Sequence, residues 1–101
     1  MPGKDFRFGI SSSVQGIDAN QLLVKHPLST YFMRVADDNA ELGLCAEDIL
    51  VVDRSLDPKP NDVLVVGERD DPELKIVRFE QMHAELELWG VVVHLIRNIR
   101  S

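Results

Sequence analysis

Ile49-Leu50-Val51-Val52-Asp53-Arg54-Ser55-Leu56-Asp57-Pro58-Lys59-Pro60-Asn61-Asp62-Val63-Leu64-Val65-Val66 decides the fold class. Two continuous apolar runs of strand length, rich in β-branched residues, flank a segment dense in Asp, Pro and Asn, the residues that turns select. Apolar runs this short, bounded by turn signals, read as strands rather than helices.

Working outward, Tyr31, Met33 and Val35 alternate with Phe32 and Arg34, the period of a sheet strand. Leu74 to Phe79 alternates again after the turn Asp70-Asp71-Pro72. Ala84, Leu86 and Leu88 oppose Glu85 and Glu87, which predicts a half-solvated strand. Val91-Val92-Val93 with Leu95, Ile96 and Ile99 predicts a long final strand. Its alternation places Val91, Val93 and Leu95 on one face and Val92, His94 and Ile96 on the other, both of which need cover. Asp18 is placed to cap a short helix over Ala19–Val24 that ends before His26-Pro27. Residues 1–16, with Gly3, Gly9, Ser11-Ser12-Ser13 and Gly16, read as a flexible N-terminal arm, and residues 17–101 as one β domain. The expected fold class is therefore mainly β: a compact, mostly antiparallel domain with one short helix.

Composition narrows the function. The chain has 101 residues, 11 Lys and Arg against 17 Asp and Glu, and a net charge of −6. So acidic a chain is poorly suited to gripping phosphate backbones, where affinity comes from Lys and Arg, and no direct DNA binding is expected. No apolar run approaches the roughly 18 residues that cross a bilayer, and the N-terminus lacks an apolar stretch of signal-peptide length. One cysteine suits a reducing compartment, so no membrane association and a cytoplasmic location are expected.

The residues that carry chemistry are sparse. His26, His83 and His94 do not share metal-ligand spacing with each other or with Cys45, so neither a metal nor a cofactor is expected. His94, between Val93 and Leu95, reads as a hydrogen-bonded core or interface histidine. Cys45, between Leu44 and Ala46 with no adjacent base, reads as a small buried hydrophobe. Asp37, Asp38 and Glu41 lie in a stretch without a basic residue and read as a solvated loop, a divalent-cation site being the sharper alternative. Neither a phosphate-cradling Gly-rich loop nor a G-x-S-x-G elbow is present.

The order of segments resembles the UmuD/LexA-like family of self-cleaving serine–lysine peptidases. Ile17-Asp18-Ala19-Asn20-Gln21-Leu22-Leu23-Val24-Lys25-His26-Pro27, with Thr30-Tyr31-Phe32, is similar to the leading segment of UmuD. Glu47-Asp48-Ile49-Leu50-Val51-Val52-Asp53 resembles the Gly-Asp-Leu-Leu-Ile-Val-Asp strand of that family, and Asp62-Val63-Leu64-Val65 its next strand. Leu88-Trp89-Gly90-Val91-Val92-Val93-His94-Leu95-Ile96-Arg97 resembles the Phe-Gly-Val-Val-Ile-His close. The implied fold is a shortened LexA/UmuD-like peptidase domain, because Glu80 to Leu88 stands where the family has a longer region, between Phe79 and Trp89.

In that family a serine hydroxyl attacks and a neutral lysine takes its proton; neither works without the other. Against the family's Gly-Asp-Ser-Met stretch this chain reads Ala36-Asp37-Asp38-Asn39-Ala40, so the resemblance places Asn39 at the nucleophile. The lysine position falls on Val77, or on Lys75 if the register slides by two residues. The family's Ala-Gly or Cys-Gly cleavage dipeptide is absent from the sequence. The resemblance thus implies a pseudo-peptidase close to processed UmuD. Its expected role is a homodimeric binding subunit, accessory to an error-prone Y-family DNA polymerase in translesion synthesis and SOS mutagenesis, within the DNA-damage (SOS) response and DNA repair. The alternative is an active serine–lysine self-cleaving peptidase. A repressor-type oligomerisation domain is disfavoured by the acidic charge. The interface candidates are Trp89, Val91, Val92, Val93, His94 and Ile96.

Overall fold

The computed structural model describes residues 16–100, so most of the expected arm lies outside the described residues. Five strands, β1 (Thr30–Arg34), β2 (Ile49–Asp53), β3 (Val63–Glu68), β4 (Asp71–Arg78) and β5 (Leu86–Ile96), form one antiparallel sheet in the order β1-β2-β5-β3-β4. One helix, α1 (Ala19–Leu23), precedes them, and single 3-10 turns lie at Pro27–Ser29, Ala40–Leu42 and Phe79–Gln81. The helix starts where the sequence predicts, with an Asp18 carboxylate oxygen accepting from the Asn20 amide at 2.9 Å. The β3–β4 hairpin turns through Arg69-Asp70, and Asp70 takes a left-handed φ of 71°, a conformation that Asp tolerates better than most residues. Pro72 lies on β4, an edge strand, where a missing N–H is tolerated.

The two apolar runs that decided the fold are β2 and β3, and they supply most of the core. Buried Leu50, Val52 and Val65 gather with Val35 and Leu44 on one face, packed by Met33, Ile76, Trp89 and Val92. Leu64, Val66 and Val91 gather on the other, packed by Leu56, Val77, Phe79, Met82 and Val93. Each fully buried Val or Leu side chain contributes roughly 1.5–3 kcal/mol. β2 and β5 are central, which is why both carry apolar residues at successive positions.

Two strand expectations need correction. Ala84 and Glu85 form a turn instead of opening a half-solvated strand, and the chain from Leu86 continues without a break to Ile96. The strand stops short of Ile99, which is 95% exposed. β5 pairs with β3 along its first half and with β2 along its second, so the ladder carries it through Gly90. It does so with two bulges. Trp89 is the extra residue against β3, between pairs Val66–Leu88 and Val65–Gly90. Val93 is the extra residue against β2, between pairs Val52–Val92 and Val51–His94. A bulge shifts the alternation by one. Leu95 therefore pairs with Leu50, of the first cluster, while Val91 and Val93 belong to the second, contrary to the expected shared face.

No helix among the described residues is long and apolar enough to cross a membrane.

Candidate functional site

The β1–β2 connection folds over the first cluster. Val35 and Leu44 anchor it in the core, and Asn39 and Leu44 exchange backbone hydrogen bonds of 2.8 and 2.9 Å. Between them Asn39 caps the 3-10 turn, its Oδ1 accepting from the Leu42 amide at 3.1 Å. Gly43 closes the turn at φ 71°, where a side chain would be strained. Arg97, beyond β5, fixes the assembly: Nε donates to Asp48 Oδ1 at 2.8 Å, and Nη2 to Asp48 Oδ2 at 2.6 Å and the Gly43 carbonyl at 2.8 Å. Asp48 is 2% exposed. The Arg97 hydrogen bonds, then that from the Cys45 amide, lower its carboxyl to about 2 against the penalty of burial.

Strand β4 carries both lysine-position candidates. Val77 packs into the second cluster with Leu64, whereas the turn's Leu42 and Leu44 belong to the first with Ile76. Lys75 Nζ lies 2.6 Å from Glu68 Oε1 and 3.5 Å from Asp71 Oδ2. The Glu68 hydrogen bond, foremost, raises its pKa. A general base needs a shift in the opposite direction. The β4 side chain that does reach the turn is Arg78, whose Nη2 donates to the Glu41 carbonyl at 2.9 Å. Among the described residues no hydrogen bond links Asn39 to Lys75.

Sequence reasoning assigned no structural role to Arg78 or Arg97. Their contacts span 37 to 54 residues, and no local pattern signals pairings that distant.

Most of the interface candidates make intramolecular contacts. Val91 is 3% exposed, and Val92 and Val93 pack on opposite clusters. Trp89 meets Tyr31 edge-on at 5.1 Å and carries the Arg54 guanidinium 4.2 Å from its ring centre, while Arg54 Nε donates to the Trp89 carbonyl at 2.8 Å. His94 Nε2 donates to the Leu22 carbonyl at 3.1 Å, tying α1 to the sheet. Ile96 is 38% exposed, and Phe32, on the outer strand, 54%.

Cys45 is exposed, a correction to the buried role expected of it. The chain turns Leu44 inward, and the next amide bonds to Asp48 Oδ2 at 2.8 Å, which leaves the thiol outside. Asp38 Oδ1 accepts from the Ala46 amide at 2.8 Å. His26, Asp53 and Ser55 meet: Asp53 accepts from His26 Nδ1 at 2.5 Å and from Ser55 Oγ at 2.6 Å. These are the residue types of a hydrolytic triad in the wrong connectivity, because the carboxylate lies between the other two and no base touches the hydroxyl. Burial pushes the Asp53 pKa up, but the hydrogen bonds from Ser55 and His26 outweigh it, so it is lowered.

The turn after β1 and strand β4 thus carry the two positions that the resemblance singles out, Asn39 and Val77 or Lys75, in one five-stranded antiparallel sheet. Residues 6–89 match the Peptidase S24-like family, and the chain belongs to it. It is 28% identical to protein MucA of Salmonella typhimurium over 110 aligned positions, covering 85% of this chain and 75% of the relative. Protein SamA of the same species is 28% identical over 84% of this chain and 71% of its own length. Protein ImpA of Escherichia coli is 29% identical over 86% and 72%. Since 85% of 101 residues is about 86, about 24 of the 110 positions shared with MucA have no counterpart here. That difference accords with a shortened domain.

Proposed function

We propose that this protein is a catalytically inactive, UmuD-like homodimeric subunit that supports an error-prone Y-family DNA polymerase in the cytoplasmic DNA-damage response. One observation supports the loss of catalysis: Asn39, which the resemblance sets at the serine position, has its side-chain oxygen engaged as a helix-turn cap. A carboxamide is not a nucleophile at neutral pH, and no base converts it into one. Val77 lacks a basic group, and Lys75 is stabilised in its charged form by Glu68 and Asp71. What remains is a β domain, residues 17–101 on this reading, with apolar surface to offer a second copy and an acidic surface to offer a basic partner.

The test pairs two measurements. Purified protein incubated at alkaline pH is expected to stay intact, and the protein used as bait in its native host is expected to capture a Y-family polymerase. A discrete fragment that forms at a concentration-independent rate would establish an active self-cleaving peptidase instead. Intact protein that captures no polymerase would remove the accessory role.

A further inference from the structure

On the second face of the sheet, away from the Asn39 turn, lies a cavity of about 220 Å³. Leu23, Leu56 and Val93 give it an apolar lining, and Lys25, His26 and His94 supply its basic groups. Asp53 also borders it, but both its oxygens are taken: Oδ2 by His26, Oδ1 by the Ser55 hydroxyl and amide. The bulge builds this lining. In a regular strand Val93 and His94 point to opposite faces; with Val93 as the extra residue, both border one cavity.

The imidazoles are oriented by their other nitrogens. A carbonyl only accepts, so His94 Nε2 carries the proton shared with Leu22, and an ionised Asp53 accepts from His26 Nδ1. Among the described residues, His94 Nδ1 and His26 Nε2 have no hydrogen-bond partner. Protonated, each becomes a donor beside the permanent charge of Lys25. Three cationic or protonatable groups around an apolar pocket contrast with a chain of net charge −6.

We propose that this cavity binds a carboxylate carried on a short apolar group, whether a small organic acid or the C-terminus of a partner peptide. The carboxylate would lie against Lys25 and the two imidazoles, and the apolar group against Leu23, Leu56 and Val93. Fragment-sized volume, apolar walls and few convergent polar groups are what such a ligand requires. The groups facing the histidines are Lys25 before β1, Asp53 on β2 and each other. The site is independent of the polymerase reading.

The test follows the ring signals of His26 and His94 by NMR while the full chain is titrated with benzoate or its neutral analogue benzamide. Parallel titrations use acetyl-Gly-Gly-Leu with a free or an amidated C-terminus. Expected are saturable shifts of both rings with a free carboxylate. Lys25→Glu, on an exposed residue, replaces attraction by repulsion and should weaken binding about tenfold with an unchanged Tm. Tighter binding of the free-acid tripeptide than of benzoate would assign the pocket to a chain terminus, and the reverse to a small molecule; each supports the class. Equal shifts with benzamide, no saturable shift at all, or an unaltered affinity in Lys25→Glu would overturn it.

Discussion

Arg97 grips both carboxylate oxygens of Asp48, at 2.8 and 2.6 Å, and so ties the end of β5 to the turn that carries Asn39. The Asp48 carboxyl is lowered from 3.8 to about 2. A carboxyl depressed on folding contributes stability that is fully present above its unfolded value and disappears as pH falls through its folded one. Acid titration of the native protein should therefore show a loss of stability between about pH 4 and pH 2. Arg97→Ala should flatten that part of the Tm-versus-pH curve and increase amide exchange across residues 39–48. An unchanged acid limb in Arg97→Ala would contradict this account.

Asn39→Ser alone should remain inert. It restores a hydroxyl, but Val77 stays apolar and Lys75 stays paired with Glu68, its pKa raised. Incubation of the variant across pH 7–10 with analysis by mass spectrometry checks this. Self-cleavage by the single variant would identify Lys75 as a working base.

Gly90→Ala should destabilise the fold. An added Cβ would come 2.6 Å from Val52 Cγ1 and 3.3 Å from Arg54 Cγ, too close without movement of β2. Overpacking of a tight core costs about 1–3 kcal/mol, readable as a lower midpoint in urea. Equal midpoints for the two proteins would mean that β2 yields freely there.

Dimerisation and folding should separate at two positions on β5. Val92 packs against the first cluster, so Val92→Glu buries a charge at a cost of several kcal/mol and should abolish the folded state. Ile96, at the end of β5 opposite Ile49, is 38% exposed, so Ile96→Glu should retain the circular dichroism of the parent and sediment as a monomer. A parent protein that is already monomeric at high micromolar concentration would exclude the dimer.

DNA should not bind to the isolated chain. At a net charge of −6 the 17 acidic side chains outweigh the 11 basic ones, and Arg97 is already engaged by Asp48, so repulsion from phosphates prevails. Anisotropy titrations with single- and double-stranded oligonucleotides near physiological salt should be flat below micromolar protein.

By itself the sequence determined the local elements. The runs at 49–52 and 63–66 became the two strands richest in buried residues, because β-branched side chains bounded by Asp, Pro and Asn leave the backbone few alternatives. Asp18 became the cap of α1. The placing of Asn39 at the serine position rests on the resemblance of its neighbours alone. Tertiary structure decided what depends on partners distant in the chain. It merged two expected strands into β5, because that strand pairs with β3 on one side and β2 on the other. Its bulges, invisible to a period-two reading, moved Leu95 to the face opposite Val93 and brought Val93 and His94 to one cavity. It turned Cys45 outward and joined Arg97 to Asp48 across 49 residues. Backbone preference and hydrophobic period act between neighbours in sequence; register, bulges and ion pairs are settled only when remote segments compete for the same space.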